Sequence, residues 1–305
     1  MTCYYPLKAY RTGVYGDYDY SFKEPRKDVI FSELGYPCGV CVGCVKAHRS
    51  MWSMRLVHES YYHDVSAFLT LTYDDKHVPS GEIPYDHFQS FRSRLRSTLD
   101  FNIRYFVAAE YGSRTARPHF HAVIFGYYPD DVVEISSGYS KLPLFKSRRL
   151  LDLWGRGHVS CAPFSPATAG YVAGYVTKKV LVKDWRHQRR VAEEAFRAGR
   201  EYIAPSSLPE YHKSSTRPGL GHDWLMQYHR DVLRDGYIVY SGHRVAIPRY
   251  YRKLLAKHWP DEYRDMVFNR DEHFAHFDPE STVARMDVRE QVDYASVKNF
   301  HSRSL

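Results

Sequence analysis

The sequence predicts an α+β fold in which helices pack on one face of a mainly antiparallel sheet. Between residues 63 and 183, strand-like and helix-like segments follow one another as strand, helix, strand, strand, helix, strand, helix. The second and third strands, 103–111 and 117–126, are joined by a short loop containing glycine and proline, as in a β-hairpin. Strands joined in this way pair antiparallel, and the helices between them must cover the sheet.

Hydrophobic periodicity assigns the individual elements. Residues 84–99 form an amphipathic helix because Phe88, Phe91 and Leu95 recur at helical spacing. Elsewhere we predict strands at 66–73 and 157–164 and helices at 45–62 and 147–154, with a further helix after Pro166. Past residue 183 we predict helices at 185–201, 223–233 and 248–259, a hairpin at 237–247, a loop at 206–221 and a charged, helical tail from Pro260.

Length, charge and composition narrow the class of protein. A chain of 305 residues can bury a sizeable core, and we divide it into a Cys-rich segment (1–62), a central domain (63–183) and a mostly helical extension (184–305). The net charge of +8 and the 27 tyrosines suit a single-stranded nucleic acid as partner, through phosphate contacts and base stacking. No apolar run approaches 18 residues, so we expect no membrane span, and no ATP-binding glycine motif is present.

The segment Arg-Pro-His-Phe-His-Ala at 117–122 is the most informative motif. Alternate side chains of a strand share a face, so His119 and His121 point the same way with Cα atoms about 6–7 Å apart. The hairpin would bring Glu110 beside them. Two histidines and one carboxylate suit a divalent ion such as Mg²⁺ or Mn²⁺, although such a pair on a half-exposed strand often has no function.

A second motif lies in the helix after Pro166, for which Ser165 is the expected N-cap. Tyr171 and Tyr175 stand at i and i+4, hence on one helix face. Lys178 falls on that face one turn later, and Lys179 is rotated about 100° away. Core packing is the commoner role of tyrosines at such spacing, so this pattern alone does not establish chemistry.

Three of the five cysteines form the run Cys38-x-x-Cys41-x-x-Cys44. Such spacing in a reducing compartment predicts a metal site better than disulfides, with Cys3 or His48 as the fourth ligand. Structural Zn²⁺ is the preferred interpretation, because four such ligands satisfy its tetrahedral geometry. An iron–sulfur cluster and no metal at all are the alternatives.

Taken together, these motifs resemble those of the HUH endonucleases, and most closely the rolling-circle replication initiators of microviruses of the gokushovirus type. The resemblance rests on three segments, Glu110-Tyr111-Gly112, Arg117-Pro118-His119-Phe120-His121 and Tyr171-Val172-Ala173-Gly174-Tyr175-Val176-Thr177-Lys178-Lys179. It implies a ferredoxin-like core with the histidine pair on a central strand, facing the tyrosine helix.

The resemblance also implies a mechanism. Glu110, His119 and His121 would hold Mg²⁺ or Mn²⁺, while Tyr171 or Tyr175 attacks single-stranded origin DNA, leaving a 5′-phosphotyrosine bond and a free 3′-OH. Lys178 and Lys179 would assist the tyrosines. In addition, Arg114 and Arg117 are candidate phosphate contacts. Replication would then need a host helicase and polymerase, in the cytoplasm of a bacterial host cell.

Two other functions remain open at this stage. A non-enzymatic, zinc-containing nucleic-acid-binding protein would use the basic and aromatic residues without cutting DNA. A metal-dependent hydrolase would activate water at the Glu110/His119/His121 group and form no covalent intermediate. The tyrosine pair with lysine one turn later favours covalent chemistry over both.

Overall fold

The computed structural model describes residues 3–39, 41–80, 82–112, 117–135, 143–175, 211–274 and 282–303. The chain forms two compact units. One comprises Met1–Arg55 with Gly221–Ser304, and the other comprises Leu56–Leu220 with Leu305. The division at residues 62 and 183 expected from the sequence stays a prediction, as does the helix at 185–201, which lies outside the described residues.

Twelve strands and eight helices lie within the described residues. The strands are β1 (Leu7–Val14), β2 (Asp17–Ser21), β3 (Phe31–Tyr36), β4 (Ser66–Tyr73), β5 (Arg104–Tyr111), β6 (Pro118–Phe125), β7 (Val132–Ile135), β8 (Leu144–Ser147), β9 (Gly157–Pro163), β10 (Tyr211–Ser214), β11 (Ile238–Tyr240) and β12 (His243–Val245). The helices are α1 (Val42–Ser60), α2 (Tyr85–Ser97), α3 (Arg148–Trp154), α4 (Pro166–Tyr175), α5 (His222–Asp235), α6 (Arg249–His258), α7 (Pro260–Phe274) and α8 (Val283–Arg303). Within the part of the chain that the structure describes, no helix is both long and apolar enough to cross a bilayer.

The unit Leu56–Leu220 is built on a seven-stranded sheet in the order β10-β5-β6-β4-β9-β8-β7. Every strand pair described in it is antiparallel, which confirms the predicted α+β class. The hairpin of β5 and β6 is also confirmed, and β6 lies in the interior of the sheet between β5 and β4. Strands in this position bury both faces, and the side chains of β6 from Phe120 to Phe125 are all buried.

Helices cover both faces of this sheet, so the expectation that they pack on one face was wrong. On one face, Phe88, Phe91 and Leu95 of α2 and Trp154 of α3 join a single apolar cluster with β4, β5, β6 and β9. On the other face, α4 contacts β5 and β6. Because both faces of these strands are apolar, both require a cover of helices.

The short helix α4 can approach the sheet closely because small residues line much of its length. Ala169, Ala173 and Gly174 are buried, and Val172 is the larger buried side chain between them. The Ser165 hydroxyl accepts a hydrogen bond from the backbone N–H of Thr168 at 3.2 Å, which confirms it as the N-cap. Tyr171 and Tyr175 are thereby held against the face of the sheet that carries the histidines.

The other unit contains a three-stranded antiparallel sheet, β2-β1-β3, and the hairpin β11–β12. Its apolar cluster includes Leu225 and Val232 of α5, Tyr251 and Leu255 of α6, and Met266 of α7. The hairpin and both α5 and α6 agree with the sequence prediction. Strands β1, β2 and β3 were not predicted, nor were β7, β8 and β10, because most are short and polar and lack a clear alternation of apolar residues.

Gly157 is required where β9 begins beside β4. Its φ is +142°, and a Cβ atom there would overlap the backbone oxygen of Thr72 and the backbone nitrogen of Asp74. We expect Gly157→Ala to lower the free energy of unfolding by about 3 kcal/mol or more, as measured by urea denaturation.

Gly155 provides the matched control for this substitution. It also has a positive φ, +61°, but a Cβ atom there would meet only the Asp152 oxygen, at 3.6 Å. Asparagine tolerates this left-handed conformation, so Gly155→Asn should cost no more than about 1 kcal/mol. Equal effects of the two substitutions would contradict the close approach at Gly157.

Candidate metal centre and tyrosine helix

Strand pairing places the polar residues of three neighbouring strands in rows on the face covered by α4. Glu110 of β5 lies directly opposite His119 of β6, which in turn lies opposite Thr72 of β4. In the next row, His121 lies opposite Thr70. Directly opposed residues share a face, so this register gathers Glu110 and both histidines at one point, as the sequence predicted.

The three side chains are in contact. Oε1 of Glu110 lies 2.6 Å from Nε2 of His119 and 3.3 Å from Nε2 of His121. Their potential ligand atoms all fall within 4.8 Å of one another. Glu110 and His121 are each only 3% exposed, so the group is almost fully removed from solvent.

Hydrogen bonds to the far side of each imidazole orient the ligand atoms. Nδ1 of His119 donates to the carbonyl oxygen of Arg117 at 2.9 Å, and Nδ1 of His121 lies 3.1 Å from the hydroxyl oxygen of Thr70. With a proton on Nδ1, the neutral ring presents a lone pair on Nε2. Two Nε2 lone pairs and a carboxylate converge, so either extra protons or a shared cation must separate them. This donor set therefore fits a divalent ion.

The charge state of Glu110 supports the same conclusion. Burial tends to raise the pKa of this carboxyl, but hydrogen bonds from His119 and His121 and their positive charge outweigh that effect and lower it to about 2. The buried group is therefore an anion at neutral pH, as a metal ligand must be.

Both tyrosines of α4 meet the imidazole of His121 directly. The Tyr175 ring stacks on it with centroids 4.0 Å apart and an interplanar angle of 5°. The Tyr171 ring meets it edge to face at 5.6 Å and also contacts Phe68 at 5.7 Å. The two tyrosine rings are 4.8 Å apart, so both phenols belong to the same cluster as the candidate metal ligands.

Burial raises the pKa of the Tyr175 phenol far above its ordinary value, and the negative charges of Tyr171 and Glu110 add to the effect. Burial also raises the pKa of Tyr171, although a hydrogen bond with Tyr175 partly offsets this. In the absence of a cation, both phenols are neutral at physiological pH.

Other predicted site residues are placed differently. Lys178, Lys179 and Arg114 lie outside the described residues. Arg117 is described, and its guanidinium donates to the Tyr73 carbonyl oxygen at 2.9 Å and forms an ion pair with Asp75. A phosphate contact by Arg117 stays a prediction, and a phosphate would compete with Asp75 for the guanidinium.

Two residues that shape this site were not predicted from the sequence. Thr70 orients His121, and Phe68 stacks beside it with ring centroids 5.9 Å apart. Both stand on β4 at the i and i+2 spacing that was already visible in Phe-Leu-Thr. The missing information was the register of β4 against β6, which the chain alone does not give.

A second cluster joins the four cysteines, with Cys3 rather than His48 as the fourth member. Sγ of Cys3 lies 3.9 Å from that of Cys41, and Sγ of Cys38 lies 4.0 Å from that of Cys44. In contrast, Nε2 of His48 accepts a hydrogen bond from the Trp52 indole at 3.2 Å. The group Cys3, Cys38, Cys41 and Cys44 therefore has the composition of a tetrathiolate site.

The sulfur spacing fits one tetrahedral ion. Zinc–sulfur bonds of about 2.3 Å place the sulfurs of a tetrahedron about 3.8 Å apart, close to the separations found here. Backbone N–H groups of Cys38, Cys41 and Tyr4 donate to Sγ of Cys3, Cys38 and Cys41 at 3.3–3.4 Å. Burial raises the pKa of the Cys3 thiol to about 11, so the free cluster holds thiols, and a cation would convert them to thiolates.

An antiparallel sheet with a two-histidine, one-carboxylate group facing paired tyrosines defines the class of site. The family model described as replication-associated protein ORF2 matches residues 66–180, from β4 past the tyrosine helix. The chain is also 30% identical over 275 residues to the replication-associated protein VP4 of Bdellovibrio phage phiMH2K, an alignment that covers 87% of this chain and 80% of the relative.

Two further relatives carry the same description. The replication-associated protein ORF4 of Chlamydia phage 1 is 28% identical over 229 residues, covering 72% of this chain and 53% of that protein. ORF2 of Spiroplasma virus 4 is 25% identical over 287 residues, covering 88% of this chain and 81% of that protein. No solved structure gave a significant match to the chain. The chain therefore belongs to the family of phage replication-associated proteins, which confirms the resemblance seen in the sequence.

The Thr70–His121 hydrogen bond provides a test of the candidate metal centre. Thr70→Val removes the hydroxyl but keeps the shape, so His121 loses the group that fixes its orientation. We expect the affinity for Mn²⁺, measured by isothermal titration calorimetry, to fall about 10–100-fold.

Thr72→Val is the matched control because Thr72 lies on the same strand and face, opposite His119, whose orientation is set by the Arg117 carbonyl. Its Mn²⁺ affinity should stay within about threefold of the original, well below the effect expected at Thr70. Equal losses in both variants would show that the Thr70 hydrogen bond has no particular role.

Proposed function

We propose that this protein is a replication initiator endonuclease that nicks single-stranded origin DNA through Tyr171 or Tyr175. The observation that carries this proposal is the direct contact of both tyrosine rings with His121, a member of the candidate metal centre. Membership in the phage replication-associated family supports the replication role. Both tyrosines thus lie beside the group that would hold the scissile phosphate.

Glu110, His119 and His121 would hold Mg²⁺ or Mn²⁺. A divalent ion bound there supplies positive charge for a non-bridging phosphate oxygen and for the charge that builds up during displacement. Mn²⁺ fits two imidazole ligands better than Mg²⁺ does, because Mg²⁺ prefers oxygen ligands. The almost complete burial of Glu110 and His121 excludes water and strengthens these electrostatic interactions.

The proposed chemistry is a transesterification. The phenol oxygen of one tyrosine attacks the phosphorus and loses its proton, while the bond from phosphorus to the 3′ oxygen breaks and that oxygen takes up a proton. A 5′-phosphotyrosine bond and a free 3′-OH result, and the 3′-OH primes synthesis. Attack by a 3′-OH on the phosphotyrosine reverses the step and rejoins the strand without ATP. Lys178 and Lys179 are proposed to assist the phenols.

The second tyrosine gives the site a second nucleophile within the same cluster. The ring centroids of Tyr171 and Tyr175 are 4.8 Å apart. One phenol can therefore attack the regenerated origin while the other still holds the earlier 5′ end. This arrangement suits rolling-circle replication, in which each round requires one cleavage and one rejoining.

Two alternatives compete with this proposal. A hydrolase using the same metal ligands would cleave DNA by activated water and leave no protein attached, with the tyrosines serving only to pack on His121. A non-enzymatic DNA-binding protein would retain the DNA uncut. The contact of two phenols with a candidate ligand favours the covalent route, because a packing role needs no hydroxyl.

Other parts of the proposal concern partners and the cysteine cluster. Because the sequence has no ATP-binding glycine motif, unwinding and synthesis would fall to a host helicase and polymerase, in the cytoplasm of a bacterial host cell. Cys3, Cys38, Cys41 and Cys44 would hold a structural Zn²⁺. That ion would join the segment before β1 to the start of α1.

Replacement of the tyrosines tests the covalent chemistry. With Mn²⁺ and labelled single-stranded DNA from its own replicon, the protein should yield a labelled band that survives denaturation. Tyr171→Phe and Tyr175→Phe keep the ring contacts but remove the phenols, so each single variant should retain part of the band. The double variant should lose it entirely.

Tyr127→Phe is the control for the loss of a buried hydroxyl elsewhere. The Tyr127 hydroxyl is buried in the large apolar cluster without a hydrogen-bond partner among the described residues, so its removal should leave the covalent band unchanged. Cleavage without any covalent band would support the hydrolase. DNA that binds but stays whole with every divalent ion would support the binding protein.

Metal analysis tests the cysteine cluster. The purified protein should contain about one zinc per chain, and Cys38→Ser should lose it and become markedly less stable to heat. Cys161→Ser, at a buried cysteine outside the cluster, should keep the zinc. A native protein with no bound metal, or with several irons and sulfide, would exclude the zinc assignment.

A further inference from the structure

We propose that a groove between α5, α7 and the β12–α6 region binds single-stranded DNA at a site separate from the tyrosines. The groove lies wholly within the segment Gly221–Ser304 and encloses about 1120 Å³. Five arginines line it, and we call it the arginine groove: Arg230, Arg234, Arg244, Arg252 and Arg270. This site goes beyond the proposed nicking function, because it requires neither the metal centre nor the tyrosines.

The charge of the arginine groove favours an anionic ligand. Its five arginines face three carboxylates, those of Asp235, Glu262 and Asp265. Asp235 is already paired with Arg234, and Asp265 accepts a hydrogen bond from Tyr15. Arg230 and Arg252 are exposed, and neither forms an ion pair within the described residues. Two guanidinium groups are therefore available for phosphate contacts, which guanidinium forms in bidentate fashion.

Aromatic groups lie among these arginines. The guanidinium of Arg244 sits 4.5 Å from the centroid of the Tyr237 ring. The imidazole of His229 stacks on the Trp259 indole with centroids 3.8 Å apart and an interplanar angle of 10°. A hydrogen bond from His229 Nδ1 to the Met226 carbonyl fixes that imidazole. Flat aromatic groups beside cations are the surfaces on which unpaired bases stack.

The size and floor of the groove distinguish among anionic ligands. Its volume exceeds the range of about 300–1,000 Å³ typical of small-molecule pockets, so it suits an extended chain rather than one nucleotide. Val245, Ile247 and Met266 provide an apolar floor on which a base can lie. A duplex hides its base faces and would use only the arginines, whereas an acidic peptide has no planar groups to match Tyr237 and Trp259.

Single-stranded DNA therefore matches all the features of the arginine groove. Phosphates would pair with Arg230 and Arg252, and bases would stack beside Tyr237 and Trp259. A second DNA contact of this kind would raise the affinity for DNA of any sequence, since stacking and phosphate pairing do not read base identity. It would keep the displaced strand attached to the protein between cleavage events.

The test measures binding of the full chain to a labelled oligothymidylate by fluorescence anisotropy, with no divalent ion added. The combined Arg230→Ala and Arg252→Ala variant should bind at least tenfold more weakly. The slope of log affinity against log salt concentration should decrease by about 1.4, because each lost phosphate contact on single strands contributes about 0.7.

The control has the same change in charge at neighbouring positions. Arg249 and Lys253 are exposed residues of the same helix as Arg252 but do not line the groove. The combined Arg249→Ala and Lys253→Ala variant should change affinity by no more than about threefold. All four side chains are at the surface, so neither variant should impair folding, which circular dichroism would verify.

Several results would overturn the inference. Unchanged affinity in the groove variant would do so, as would equal losses in the two variants, which would reveal only a general charge effect. At least tenfold tighter binding of oligouridylate would assign the site to RNA instead. The covalent-band assay is independent: a groove variant that still forms the band but binds DNA normally rejects the groove and leaves the nicking proposal intact.

Discussion

The antiparallel register of β5, β6 and β4 is the constraint on which the candidate site depends. It places Glu110 opposite His119 and Thr70 opposite His121, so two candidate ligands come from one strand, a third from its neighbour and an orienting hydroxyl from the other. A slip of one residue would turn every one of these side chains to the opposite face. Burial of the apolar side chains on that opposite face makes such a slip costly, so the large apolar core also secures the geometry of the metal centre.

The tyrosine helix depends on the same sheet. Its small residues permit close packing on β5 and β6, and this packing brings two phenols against His121 rather than into a remote part of the core. As a consequence, both phenols are buried and neutral without a cation nearby. Substrate and metal would therefore have to bind together to activate them, which protects the protein from unproductive chemistry on water or free nucleotides.

The two units carry different chemical features. The unit Leu56–Leu220 holds the candidate metal centre and the tyrosines, whereas the unit that includes Gly221–Ser304 holds the cysteine cluster and the arginine groove. Such a division separates chemistry on one phosphodiester from retention of a longer strand. The retention can be strong and independent of sequence, while selectivity for the origin is left to the site where the strand is cut.

Local pattern in the sequence determined much of the core. The spacing of His119 and His121, the hairpin that returns Glu110 to them and the i, i+4 tyrosines all follow from the periods of strand and helix, and each was predictable. Tertiary structure alone decided which face α4 covers, the role of Thr70, the choice of Cys3 over His48 and the assembly of the arginine groove. These depend on contacts between residues far apart in the chain or on short, polar strands, and no local periodicity encodes the free energy of such contacts.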